Sequence, residues 1–187
     1  MDSLTSFLLG GATVLALAQA RSRLTGFAAQ RPEDYAASQP QFDLRRHLNG
    51  EIDCEGAIFG PTGRVTSRFT GDFLARWDGN HGTMREHFRF DSGAEQRREW
   101  QLTLGNGNRF EATAPDVVGT GRGTVSGPAV QLAYRLRLPK DAGGHVVSVN
   151  DWMYLAPNGH IVNRSEFRKF GIRVAELIAT MRPRVPA

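Results

Sequence analysis

From Glu51 onward apolar and polar residues alternate with a period of two, the mark of strands that bury one face. Val65, Phe69, Phe73, Ala75 and Trp77 fall on one side of such a run, and Thr66, Arg68, Thr70, Asp72 and Arg76 on the other. The same separation recurs where Met84, Phe88 and Phe90 oppose Arg85, His87, Arg89 and Asp91. It recurs again where Val130, Leu132, Tyr134, Leu136 and Leu138 oppose Gln131, Arg135 and Arg137. Short turn signals separate the runs, among them Asp91-Ser92-Gly93, Gly105-Asn106-Gly107, Asp141-Ala142-Gly143-Gly144 and Pro157-Asn158-Gly159. Loops this short join antiparallel neighbours, because a parallel crossover needs about a dozen residues or more. The expected fold is all-β: an antiparallel up-and-down barrel of about nine or ten strands, closed so that no edge is left exposed. Asp43 caps a short helix through Leu44 and Leu48, which Asn49-Gly50 ends. Near the C-terminus Val174, Leu177, Ile178 and Met181 stand at helical spacing, although the residues around them fit a closing strand equally well.

The pattern is different before residue 42. No residue from Ser3 to Ala20 is charged, and Phe7, Leu8, Leu9, Val14, Leu15 and Leu17 make an apolar stretch followed by Arg21 and Arg23. Ala18-Gln19-Ala20 fits a small-x-small cleavage site, so residues 1–20 read as a signal peptide. Asp2 in place of a basic leader and the arginines after the stretch fit an uncleaved membrane anchor instead, which the required span of about 20 apolar residues makes marginal. A third reading makes the stretch an apolar tail of the globular core. Residues 21–41, with Pro32, Pro40 and Ser38, show neither period and read as a linker. Residues 42–187 form the barrel domain.

Composition narrows the function classes. With 187 residues, 40% hydrophobic and 22% charged, the chain is long and apolar enough for one packed core. The net charge is +4, but the arginines are spread over alternating strand positions instead of forming a block that could track phosphates, so no nucleic-acid partner is expected. Cys54 is the only cysteine, shares a strand face with Ile52 and Ile58, and reads as a buried, inert thiol. There is no nucleophile elbow or phosphate loop, and His47, His81, His87, His145 and His160 are scattered, so no metal, cofactor or catalytic set is assigned.

Charges on the apolar faces are the remaining signal, because a charge inside a barrel needs a partner. Glu86 alternates with Met84 and Phe88, and Arg98 shares a face with Trp100 and Leu102. A turn at Ser92-Gly93-Ala94 sets Phe88 opposite Arg98 and Glu86 opposite Trp100, leaving Glu86 and Arg98 as diagonal neighbours. Asp151 lies between Val149 and Met153, and a two-residue Asn158-Gly159 turn brings Arg164 opposite Met153 and beside Asp151. A slip of one residue would exchange the faces. Each pair reads either as a structural ion pair or as a polar anchor for a ligand. Gly119, Gly121 and Gly123 alternate on one face and leave room for close backbone approach or for a large side chain opposite.

These residues together resemble an uncharacterised bacterial family of envelope lipoproteins, a domain of unknown function whose barrel is similar to lipocalins and other calycins. The resemblance runs from about Phe42 to Arg182. It rests on Leu48-Asn49-Gly50, Arg97-Arg98-x-Trp100, Asp116-Val117-Val118-Gly119, Asp151-Trp152-Met153-Tyr154, Asn163-Arg164 and Lys169-Phe170-Gly171. It implies a lipocalin-like barrel in the cell envelope with no established activity, and a last segment that is a strand. The lipid-bearing cysteine of such proteins is missing, since none precedes Cys54.

The expectation is therefore a non-catalytic envelope protein that is exported or membrane-anchored through its N-terminal segment. Its interior would take a small apolar or amphipathic ligand. Glu86, Arg98, Trp100, Tyr134, Asp151, Trp152, Asn163 and Arg164 would contact that ligand. A structural or assembly protein with a filled core, and an enzyme acting on a lipid-like substrate through an interior carboxylate, are the alternatives. The residues do not fix the oligomeric state.

Overall fold

A computed structural model describes residues 3–140 and 142–184, with the side chains of residues 3, 4, 15, 16 and 18–23 excepted. The side chains of the small-x-small motif and of the basic pair behind it, together with Asp2 and Asp141 of one turn, lie outside the described set. Helix α1 (Ser3–Leu24) leads into two short 3-10 helices, Phe27–Ala29 and Pro32–Tyr35, and a one-turn helix α2 (Leu44–His47). Among the described residues no helix is long and apolar enough to cross a membrane.

Ten strands follow: β1 (Gly50–Phe59), β2 (Val65–Asp78), β3 (His81–Phe90), β4 (Glu95–Leu104), β5 (Arg109–Thr113), β6 (Gly121–Ser126), β7 (Ala129–Arg137), β8 (Val146–Leu155), β9 (Ile161–Lys169) and β10 (Ile172–Pro183). Each pairs antiparallel with its sequence neighbours, and β1 pairs with β10 to close the barrel. The up-and-down barrel expected from the alternation is the fold. The ambiguous C-terminal segment is the closing strand, with Leu177, Ala179 and Met181 turned toward the core and Ile178 outward.

The core is the barrel interior, built from Ile52, Phe69, Phe73, Trp100, Leu132 and their neighbours. Phe110 of β5 needs the space that Gly123 of β6 leaves, since a Cβ there would sit 2.1 Å from its ring. One end of the barrel is covered by α2. Asp43 accepts a hydrogen bond from the Arg45 amide at 2.9 Å, and this cap turns Leu44 and Leu48 into the opening. Trp77 at the end of β2 fixes the cover by donating its indole N–H to the Leu48 carbonyl at 2.8 Å.

Two hairpins differ from the expected register, the first because its three-residue turn sits one residue earlier than expected and the second because its turn has three residues instead of two. The β3–β4 loop is the three-residue Asp91-Ser92-Gly93 with Gly93 at φ 83°, so Glu86 stands directly opposite Arg98, Phe88 opposite Gln96, and Met84 opposite Trp100. The β8–β9 loop is the three-residue Pro157-Asn158-Gly159 with Gly159 at φ 81°, which sets Arg164 opposite Trp152 and Ser165 opposite Asp151. A glycine in the left-handed region closes a three-residue hairpin with the twist the strands require. The expected two-residue turn at Asn158-Gly159 slips the pairing by one position and so reverses the face of Arg164.

Candidate ligand site inside the barrel

The alternation that builds the core also turns a few polar side chains inward. Glu86 comes from β3, Arg98 and Trp100 from β4, Tyr134 from β7, Asp151 from β8, and Asn163 and Ser165 from β9; all are hydrogen-bonding groups on an otherwise hydrophobic wall, and the Trp100 side chain hydrogen-bonds Glu86. They line a cavity of about 230 Å³ among Phe73, Met84, Phe88 and Leu132. A broader depression of about 530 Å³ on the outer faces of β2, β3 and β4 is bordered by Asp72, Arg85, His87 and Glu99, side chains already matched with opposite charge.

Arg98 is the centre of the interior cluster. Its Nε and Nη2 donate to Oδ2 of Asp116 at 3.0 and 2.7 Å, and its Nη1 lies 3.9 Å from Oε2 of Glu86. The guanidinium also stands 5.4 Å from the centre of the Trp100 ring, which packs edge-on against Tyr134 at 5.2 Å. Asp116 arrives from outside the regular strands. The connection between β5 and β6 folds along β7, where Val117 bridges Leu136 and the Arg137 amide donates to the Asp116 carbonyl at 2.8 Å. Sequence reasoning gave Asp116 no role, although it opens the Asp116-Val117-Val118-Gly119 segment that carried the family resemblance.

The acids are less well matched than the guanidinium. Oε2 of Glu86 and Oδ1 of Asp116 are buried with no hydrogen-bond partner in the protein. Burial pushes the Glu86 carboxyl up to about 7; Arg98 opposes the rise, and Asp151 and Asp116 add to it. Burial also raises Asp151, against the hydrogen bonds donated to its Oδ1 by Ser165 at 2.7 Å and Asn163 at 2.5 Å. For Arg98 burial works against the charge, but Glu86, Tyr134 and Asp116 outweigh it and hold the guanidinium protonated above its ordinary range. Burial raises the Tyr134 phenol as well, so it stays a neutral hydrogen-bonding group. Cys54, pushed up to about 12 chiefly by burial, is an inert thiol.

Six of the eight residues expected at the site, Glu86, Arg98, Trp100, Tyr134, Asp151 and Asn163, line this interior or pack against it. Trp152 and Arg164 do not: they stand on the outer face. With Asp151 turned inward, the period of two puts Trp152 outside, and the one-residue register difference takes Arg164 with it. There Trp152 is fully buried beneath Phe27 and Tyr35, and the Arg164 guanidinium lies 4.3 Å from the Phe27 ring while bonding Glu176 at 2.6 Å. Residues 27–35 thus pack onto the barrel wall. Among the described residues no group of His, Cys, Asp and Glu is arranged to hold a metal ion.

The pattern of a family described as "Protein of unknown function (DUF3833)" matches residues 22–183. No curated protein matches the sequence. Among solved structures the fold is similar to an S-type phycobiliprotein lyase from Guillardia theta, with a TM-score of 0.54 and 7% identity over 76% of this chain and 92% of that one. It is also similar to Rv2717c from M. tuberculosis, with a TM-score of 0.56 and 16% identity over 79% of this chain and 99% of that one. Likeness at these identities is likeness of fold.

Proposed function

The chain belongs to the DUF3833 family of unknown function, and we propose that it binds a small amphipathic molecule inside its barrel without transforming it. The observation that carries this reading is a cavity of about 230 Å³ whose walls are apolar but whose polar groups include buried carboxylate oxygens with no partner. Internal space beside unpaired buried acceptors, each costing about 1–3 kcal/mol, supports an interior that is not built for packing alone. A ligand that brings an apolar body and a hydrogen-bond donor satisfies both.

Native mass spectrometry of the protein purified from its own host tests the reading. The expected result is a discrete mass increment that disappears on denaturation and falls in a Leu132→Trp variant, which fills the cavity. Bare protein alone, together with unchanged stability on filling the cavity, overturns it in favour of a structural or assembly role.

One observation favours a second reading. A carboxyl near neutrality inside a cavity is suited to general acid–base work. In that case Glu86 would pass a proton to or from a lipid-like substrate, and the bound compound would turn over in wild type but not in Glu86→Gln.

The same proposal puts the protein in the cell envelope. The uncharged apolar stretch from Ser3 to Ala20 supports that location. An alkaline-phosphatase fusion after Gln30 would be active if the barrel is exported and silent if it is not.

A further inference from the structure

Resting on the interior-ligand reading above, the geometry points to the ligand's head group: we propose that the cavity selects a cationic nitrogen, a protonated amine on a short apolar body, over an anionic or neutral head. Three carboxyl groups, those of Glu86, Asp116 and Asp151, face the cavity. Among the described residues lining it the cations are Arg98, deep in the cluster, and Arg137, exposed at the mouth. Arg98 spends two of its donors on one oxygen of Asp116 and reaches Glu86 only at 3.9 Å. One oxygen of each of these acids is left buried without a donor. Besides Arg98, the only donor to Glu86 among the described residues is the Trp100 side chain, so three acids face one buried cation; a protonated amine supplies the missing positive charge and donors once the Glu86 and Asp116 carboxylates rotate toward the cavity.

The same arrangement disfavours other heads. A fatty-acid carboxylate or a phosphate would add negative charge to a site that already holds three acids around one guanidinium, and would find that guanidinium engaged. An alcohol offers one donor and no charge, so it satisfies one orphaned oxygen at most. The body is short, because a cavity of about 230 Å³ lies below the roughly 300–1,000 Å³ of ordinary ligand pockets and does not hold a long acyl chain unless the tail leaves through the mouth.

Glu86 of β3 faces Arg98 from β4, Asp116 from the β5–β6 connection, Tyr134 from β7, Asp151 from β8 and the Cys54 thiol from β1. Of these Glu86 is the group placed to change charge near neutrality, with its carboxyl at about 7. Amine binding should therefore strengthen between pH 5.5 and pH 8 as Glu86 gives up its proton.

Titration calorimetry of the full chain with hexylamine, hexanol and hexanoate, at pH 5.5 and pH 8, tests the proposal. Hexylamine should bind at least tenfold more tightly than hexanol at pH 8, with the gap narrowing at pH 5.5, and hexanoate should show no binding. Glu86→Gln, which keeps the shape of the side chain, should cut hexylamine affinity at least tenfold at pH 8 and abolish the difference between pH 5.5 and pH 8. Equal or tighter binding of hexanol or hexanoate overturns the amine assignment while leaving an interior ligand standing. Failure of all three probes to bind overturns both readings.

Discussion

Carboxylates inside and outside this barrel behave in opposite ways. On the outer wall Asp72, Asp91 and Glu95 are held below their ordinary range, first by hydrogen bonds from Arg89, Arg68 and His87 respectively. On the inner wall Glu86 and Asp151 are raised, first by burial, although each has donors or a cation nearby. The side chains share one chemistry, and some stand on the same strand pair: Arg85 meets Glu99 at 2.6 Å on the outside of β3 and β4, one position from Glu86 and Arg98 on the inside. Water makes the difference. Outside it screens each pair and makes it dispensable; inside its absence makes each uncompensated charge costly. The outer ladder therefore supports solubility, and the inner cluster sets the charge and polarity of the cavity wall.

Three experiments test this contrast, from the largest effect to the smallest. Arg98→Met should cost about 3–5 kcal/mol in urea unfolding, because it leaves Glu86 and Asp116 in the interior without their cation. A loss below about 1 kcal/mol would mean that the inner cluster behaves like an exposed one.

The second experiment is a pH profile. The folded-state value of Glu86, about 7, lies above its ordinary 4.5, so the folded protein holds this proton more tightly than the unfolded chain does. Its contribution to stability is complete below about pH 4.5 and is lost as pH rises toward 7, on the order of 3 kcal/mol in all. The outer Asp72, being lowered, works in the reverse sense and loses its contribution as pH falls through the acid range. Glu86→Gln should flatten the profile between pH 4.5 and 7 and leave the acid limb in place; an unchanged slope there would remove Glu86 as its source.

The smallest effect belongs to Arg85→Ala. Its exposed pair with Glu99 is worth less than about 1 kcal/mol, and the thermal midpoint should become insensitive to the change in high salt.

The strands, their inward faces and the antiparallel order were legible in the sequence because a period of two persists wherever one face is buried. Glu86, Arg98, Tyr134 and Asp151 could be picked out as charges and hydroxyls interrupting that face. Register was harder. Asp91-Ser92-Gly93-Ala94 holds a three-residue turn in either of two frames, Pro157-Asn158-Gly159 a turn of two or three residues, and the choice depends on strand twist, which no local pattern encodes. Asp116 escaped because it lies in an irregular connection, where no periodicity tells inward from outward. Trp152 was misplaced when its aromatic character was weighed above its parity with Asp151, and its cover by Phe27 is a long-range contact invisible to local spacing.

The pairing of β1 with β10, from Ile52 with Pro183 to Phe59 with Glu176, has a consequence for biogenesis. A nascent chain cannot complete the pocket until its final strand has left the ribosome, since the seam joins the two ends of the domain and such distant contacts form late. A polypeptide cut short before Ile172 would carry two open edges and a wet, unsheltered Glu86, making it a substrate for proteases and for self-association. Closure of that seam is thus the step at which the barrel interior is first shut off from water.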